Sequence, residues 1–65
     1  MTYRVTHIEF DPFDLEDDLD GTYTRDLVNK AKSMVFDANS REELVTQIHY
    51  QVAAFNITQL EYEQV

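Results

Sequence analysis

At 65 residues, with no cysteine and a net charge of −8, the chain has room for one small domain and offers no disulfide, thiolate metal site or cysteine nucleophile. Folding a chain of this size hides only about 60% of the surface it exposes when unfolded, so the core is small, and a partner subunit is a common supplement to such a core. The acidic balance disfavours direct binding of DNA, RNA or anionic lipid, which reward Lys and Arg that release counterions, and leaves basic proteins and cations as candidate partners.

The first ten residues, "MTYRVTHIEF", hold an Arg, a His and a Glu and no apolar run of signal-peptide length. No stretch approaches the ~20 apolar residues of a membrane span. The expectation is a cytoplasmic protein, in which the sequon-like Asn56-Ile57-Thr58 has no consequence. Residues 2–10 are rich in β-branched and aromatic types and read as a strand. Tyr3 and Val5 share one face and Ile8 and Phe10 the other, so the two-residue period slips near Thr6-His7; a bulge that re-aims the strand accounts for it.

The next segment, "DPFDLEDDLDG" at 11–21, contains the only Pro and the only Gly and reads as a connector. Glu9, Asp11, Asp14, Glu16, Asp17, Asp18 and Asp20 lie together without a basic residue among them and account for seven of the eight net negative charges. Phe13, Leu15 and Leu19 keep the segment from being wholly polar. A helical turn around 14–19 is expected, pinned by those apolar groups while the carboxylates face water.

From Thr22 the pattern becomes helical, with Tyr23, Leu27, Val28, Ala31, Met34, Val35 and Ala38 along one stripe and Thr22 as the expected N-cap. Lys30 and Lys32, opposite in sign to the connector, are placed to fold back toward it. "SREE" at 40–43 is a capping box that opens a second helix, which buries Leu44, Val45, Ile48, Val52 and Phe55 and ends at Asn56 as a left-handed terminator. The tail "ITQLEYEQV", 57–65, reads as a strand with Leu60 and Tyr62 on one face and Glu61 and Glu63 on the other.

The expected fold is thus α+β, a single small domain over 1–65 in the order β-α-α-β, with a two-stranded antiparallel sheet packed on an antiparallel helix hairpin. Two strands alone leave edges that invite pairing with another chain, and a homodimer follows.

Few of the residues form a chemical constellation. With Gly21 at the sixth position of a calcium loop, Glu16, Asp18 and Asp20 fall at positions one, three and five, but position twelve is Leu27 where a bidentate Glu is required. His7 and His49 lack any paired ligand spacing and read as structural or surface histidines. A single Gly cannot build a phosphate loop, and no Ser, His and acid set has a recognisable context. We therefore expect no catalytic residue, no metal ligand and no cofactor.

Protein binding is the better class. Asp11, Phe13, Asp14, Glu16, Asp17, Asp18 and Asp20 are the candidate partner-binding residues: carboxylates steer a basic protein and aromatics supply buried area. Phe10, Phe36 and Tyr50, taken singly, each read first as closing the edge of a small core; together with Phe13 they are further candidate contacts. In a sharper version the spaced carboxylates imitate phosphates and occupy the positive groove of a nucleic-acid-binding protein. The alternative is a small dimeric domain that holds a divalent cation or serves structure alone.

The layout of "TYRVTHIEFD", an acidic linker, "SREELVTQI" and "AAFNITQLEYE", with "REELV" and "LEYE" as its best fragments, resembles small acidic uncharacterised proteins of cyanobacterial tailed phages. Those proteins often carry Gly near the end of the second helix, where this chain has Ala54-Phe55-Asn56. The resemblance implies an auxiliary protein acting in the bacterial cytoplasm during infection, and it transfers no catalytic residue.

Overall fold

In the computed structural model, which describes residues 1–65, the chain runs β1 (Thr2–Phe10), a short 3-10 turn (Pro12–Leu15), α1 (Thr22–Ser33), β2 (Val35–Asp37), α2 (Arg41–Gln51) and β3 (Ile57–Gln64). The class is α+β, and β1 and β3 pair antiparallel as expected. The sheet, however, has three strands, in the order β2-β1-β3, and not two. The helical stripe stops at Ser33: Met34 is extended (φ −100°, ψ 160°), and Val35, Phe36 and Asp37 pair with Arg4, Tyr3 and Thr2. The apolar positions of "MVFDA" suit either period, and the free edge of β1 decides between them. As a strand, the run sends Phe36 into the core, 2% exposed, between outward Val35 and Asp37. Because β2 stands between them, α1 and α2 do not form the expected helix hairpin. Instead, α1 packs on β1 and α2 on β2.

The slip near Thr6 is a bulge. Val5 pairs with Tyr62 and His7 with Glu61, leaving Thr6 as an extra residue on β1. That insertion turns Ile8 and Phe10 to the face already taken by Val5, so all three are buried. A second irregularity, between Glu9 and Phe10 on β1, leaves Thr58 as the extra residue of β3 and lets Ile57 and Leu60 share that same inner face.

The core is one cluster of Val5, Ile8, Phe10, Leu27, Ala31, Phe36, Ala38, Leu44, Ile48 and Leu60, and no polar or charged residue is buried with it. The helices cover one face of the sheet. On the other face Arg4, Glu9, Asp37, Glu61 and Glu63 are exposed.

Ser40 caps α2 as the sequence predicts: its hydroxyl accepts from the Glu43 N–H at 3.1 Å, which is half of the capping box. The end of α2 differs from expectation. Helix residues stop at Gln51, the Val52 N–H donates to the Ile48 carbonyl at 2.8 Å, and Gly21 is the only residue with positive φ, so Asn56 is not a left-handed terminator. Phe55 lies beyond the helix, in the loop before β3. No helix is long and apolar enough to cross a membrane.

Candidate functional site

The connector is ordered by its own acids. Asp11 caps the 3-10 turn, accepting from the Phe13 N–H at 3.0 Å, with Pro12 at the first position where its missing N–H is not needed. Asp14 Oδ2 accepts from the Asn56 N–H at 2.9 Å, and the Asp11 N–H donates to the Asn56 carbonyl at 2.8 Å, so two bonds tie the connector to the loop before β3.

Asp18 and Asp20 serve the start of α1. Asp18 accepts from the Tyr23 N–H at 3.1 Å through Oδ1, and from the Thr24 N–H at 2.7 Å and hydroxyl at 2.6 Å through Oδ2. Asp20 accepts from the Thr22 N–H at 3.0 Å. The N-cap position itself is Gly21, in the left-handed region at φ 76°, and Thr22 is already helical. Thr22 is therefore not the cap; the freed amides of the first turn go to the two aspartates upstream. The Thr24 hydroxyl and then the Thr24 amide hold the Asp18 carboxyl below the usual carboxylate range, against the opposing effect of burial. Asp20 is lowered in the same way, first by the Thr22 amide and then by its hydroxyl.

Glu16 and Asp17 differ from these four: no protein group donates a hydrogen bond to either side chain. No connector acid meets a cation. The ion pair of the Met1 N-terminus with Asp37 at 3.3 Å and the hydrogen bond between His7 Nε2 and Glu9 at 2.8 Å lie elsewhere. Lys30 and Lys32 do not fold back: they sit in the last turn of α1, Lys30 about 12 Å along the helix axis from Thr22, where the connector joins the helix.

Only Leu15 of the three connector apolar groups packs against the core; Phe13 is 79% and Leu19 96% exposed. Phe10 and Phe36 are core residues and drop out as contact candidates, whereas Tyr50 on α2 is exposed. The chain also brings together a set with no signal in the sequence. Asp14, Leu15, Asp17, Asp18, Tyr23 and Phe55 line one cavity of about 340 Å³. Phe55 stands edge-on to Tyr23 (ring centroids 6.4 Å) and to Phe10 (6.3 Å). Tyr23 and Phe55 are 32 positions apart, and their meeting depends on where the loop before β3 closes against the connector.

No three His, Asp or Glu side chains converge in a cation-binding arrangement. Asp18 and Asp20, which the calcium-loop register pairs with Glu16, point their oxygens at helix amides. The two histidines are separate: His7 bonds Glu9 on the sheet, and Nε2 of His49 is buried on α2 without a hydrogen-bond partner. The chain matches no family model, no curated protein and no solved structure.

Proposed function

We propose that this protein is a non-catalytic binding module that engages a basic protein through the connector, with Asp11, Phe13, Asp14, Glu16, Asp17, Asp18 and Asp20 forming the contact surface. One observation carries the reading: four of the six connector carboxylates, Asp11, Asp14, Asp18 and Asp20, are fixed by backbone amides and none of the six is neutralised by a Lys or Arg, while Phe13 and Leu19 stand out beside them. A fixed anionic surface attracts a cationic one over long range and sets its orientation, and each apolar group it covers adds about 1.5–3 kcal/mol. Mimicry of a phosphate backbone is the finer form of this proposal. The resemblance of its layout to small acidic phage proteins suggests the setting we propose, the cytoplasm of an infected bacterium.

The test uses Glu16→Gln with Asp17→Asn, which remove charge without removing a hydrogen bond, and Phe13→Ala separately. Immobilised protein is exposed to a bacterial lysate at low and high salt. A basic protein retained by the wild type at low salt and lost from both variants supports the proposal. Equal retention by all three, at either salt, contradicts it.

Self-association belongs to the same proposal. In the three-stranded sheet β3 is an edge strand of eight residues, long enough to pair with a second copy. The Arg41 guanidinium donates to the Leu60 carbonyl at 3.2 Å and lies over the Tyr62 ring, so pairing must accommodate a cation at the middle of that strand. Sedimentation over a dilution series distinguishes a dimer, at twice 7.7 kDa, from a monomer.

A further inference from the structure

The cavity between the connector and the loop before β3 has apolar walls and an acidic rim. Leu15, Tyr23 and Phe55 supply its apolar lining, and the two rings meet edge to face at 88°. Phe55 also stands edge-on to the buried Phe10, so its ring is held by the core before anything enters the cavity. Asp14, Asp17 and Asp18 supply the rim.

These acids are not equivalent. Asp18 has both oxygens engaged by the first turn of α1, and Asp14 has one engaged by the Asn56 amide. Asp17 has neither, and one oxygen of Asp14 is likewise unused. The cavity therefore presents an unpaired carboxylate edge next to aromatic surface, with no cation of its own chain in it. An occupant must be flat or slender enough to lie against a ring, and cationic at its tip. Arginine meets both requirements: its guanidinium stacks on aromatic faces, sheds water more readily than an ammonium, and offers a planar fork to carboxylate oxygens.

We propose that this cavity receives one arginine side chain of the protein partner, with the guanidinium against Tyr23 and Phe55 and its N–H groups donating to Asp17 and the free oxygen of Asp14. The proposal rests on the reading of the connector as a surface for a basic protein. It adds a single anchoring position to an otherwise diffuse attraction.

The test is an amide-resolved NMR titration of the full chain with three short blocked peptides that differ at one position: arginine, lysine, or citrulline, the neutral isostere of arginine. A hexa-arginine peptide at low salt serves as a fourth ligand. The expected result is saturable shifts at Leu15, Tyr23 and Phe55 with the arginine peptide, and binding weaker by about fivefold with lysine and weaker still with citrulline. Asp17→Asn and Tyr23→Leu, both at exposed positions, should each reduce arginine affinity several-fold while the rest of the spectrum stays unchanged. Citrulline or lysine binding as well as arginine overturns the proposal. Salt-sensitive shifts with hexa-arginine that spread over 11–21 and spare Tyr23 and Phe55 also overturn it, but leave the acidic-surface reading standing. No shift with hexa-arginine at low salt overturns both.

Discussion

Asp18 shows how an acidic residue can look free in sequence and be committed in structure. Its two oxygens take three hydrogen bonds from Tyr23 and Thr24, and these bonds favour the ionised form. A group whose carboxyl is lowered by folding contributes stability that is complete above its unfolded pKa, near 3.8, and that disappears as pH falls through the lower folded value. Asp18→Ala should lower the thermal midpoint at neutral pH by on the order of 5 °C, and should flatten its fall with acid, because the variant has less to lose. Melting curves by circular dichroism between neutral pH and pH about 2 check both statements; parallel curves for variant and wild type contradict them. Gly21 is the companion residue. A Cβ there would meet nothing within 4 Å, so space is not what requires glycine; the positive φ of 76° is. Gly21→Ala should therefore cost about 1 kcal/mol despite the open surroundings, measured by urea unfolding, and Gly21→Asn less.

Among the elements, β1 is the one whose local pattern decides the fold. With Thr6 as the extra residue, Val5, Ile8 and Phe10 face the helices; without it, strict alternation from Val5 would point His7 and Glu9 inward. Deleting Thr6 brings Val5, Ile8 and Phe10 into regular two-residue spacing, so the deletion should leave the protein folded. Inserting an Ala between His7 and Ile8 turns Ile8 and Phe10 outward and should unfold it. Far-ultraviolet dichroism and dispersion of the amide spectrum separate these outcomes. The bulge was legible because the fault in the pattern lay within nine residues. So were β1, β3 and the Ser40 cap, whose signals are equally local. β2 was not, because "VFD" fits the end of a helical stripe as well as it fits a strand, and only the open edge of β1 in three dimensions favours the strand. The connector was legible as an odd, acidic segment, while the destination of its carboxylates was not. Asp14 reaches an amide 42 residues away, and the aromatic corner beside it joins Tyr23 to a residue of the loop before β3.

At the scale of the whole molecule, a ten-residue core must hold a chain that carries a net charge of −8. Leu44 and Ile48 are fully enclosed, and removing most of either side chain costs about 2–5 kcal/mol, against roughly 3–5 kcal/mol available to a domain of this size. Leu44→Ala should accordingly leave a large unfolded fraction at room temperature, whereas Tyr50→Ala, at an exposed position on the same helix, should leave stability unchanged; a denaturant titration compares them. That contrast would locate stability in the sheet and helices, and the proposed recognition surface in the connector, which one backbone bond and the Asp14 side chain tie to the loop before β3. The most direct test of that division is hydrogen exchange of the full chain with and without a basic protein captured from the lysate at low salt. The account predicts added protection over residues 11–21 and the first turn of α1, with β3 and α2 unaffected. Protection confined to α2 around Tyr50 or to the open sheet face, with the connector exchanging as it does alone, would contradict it.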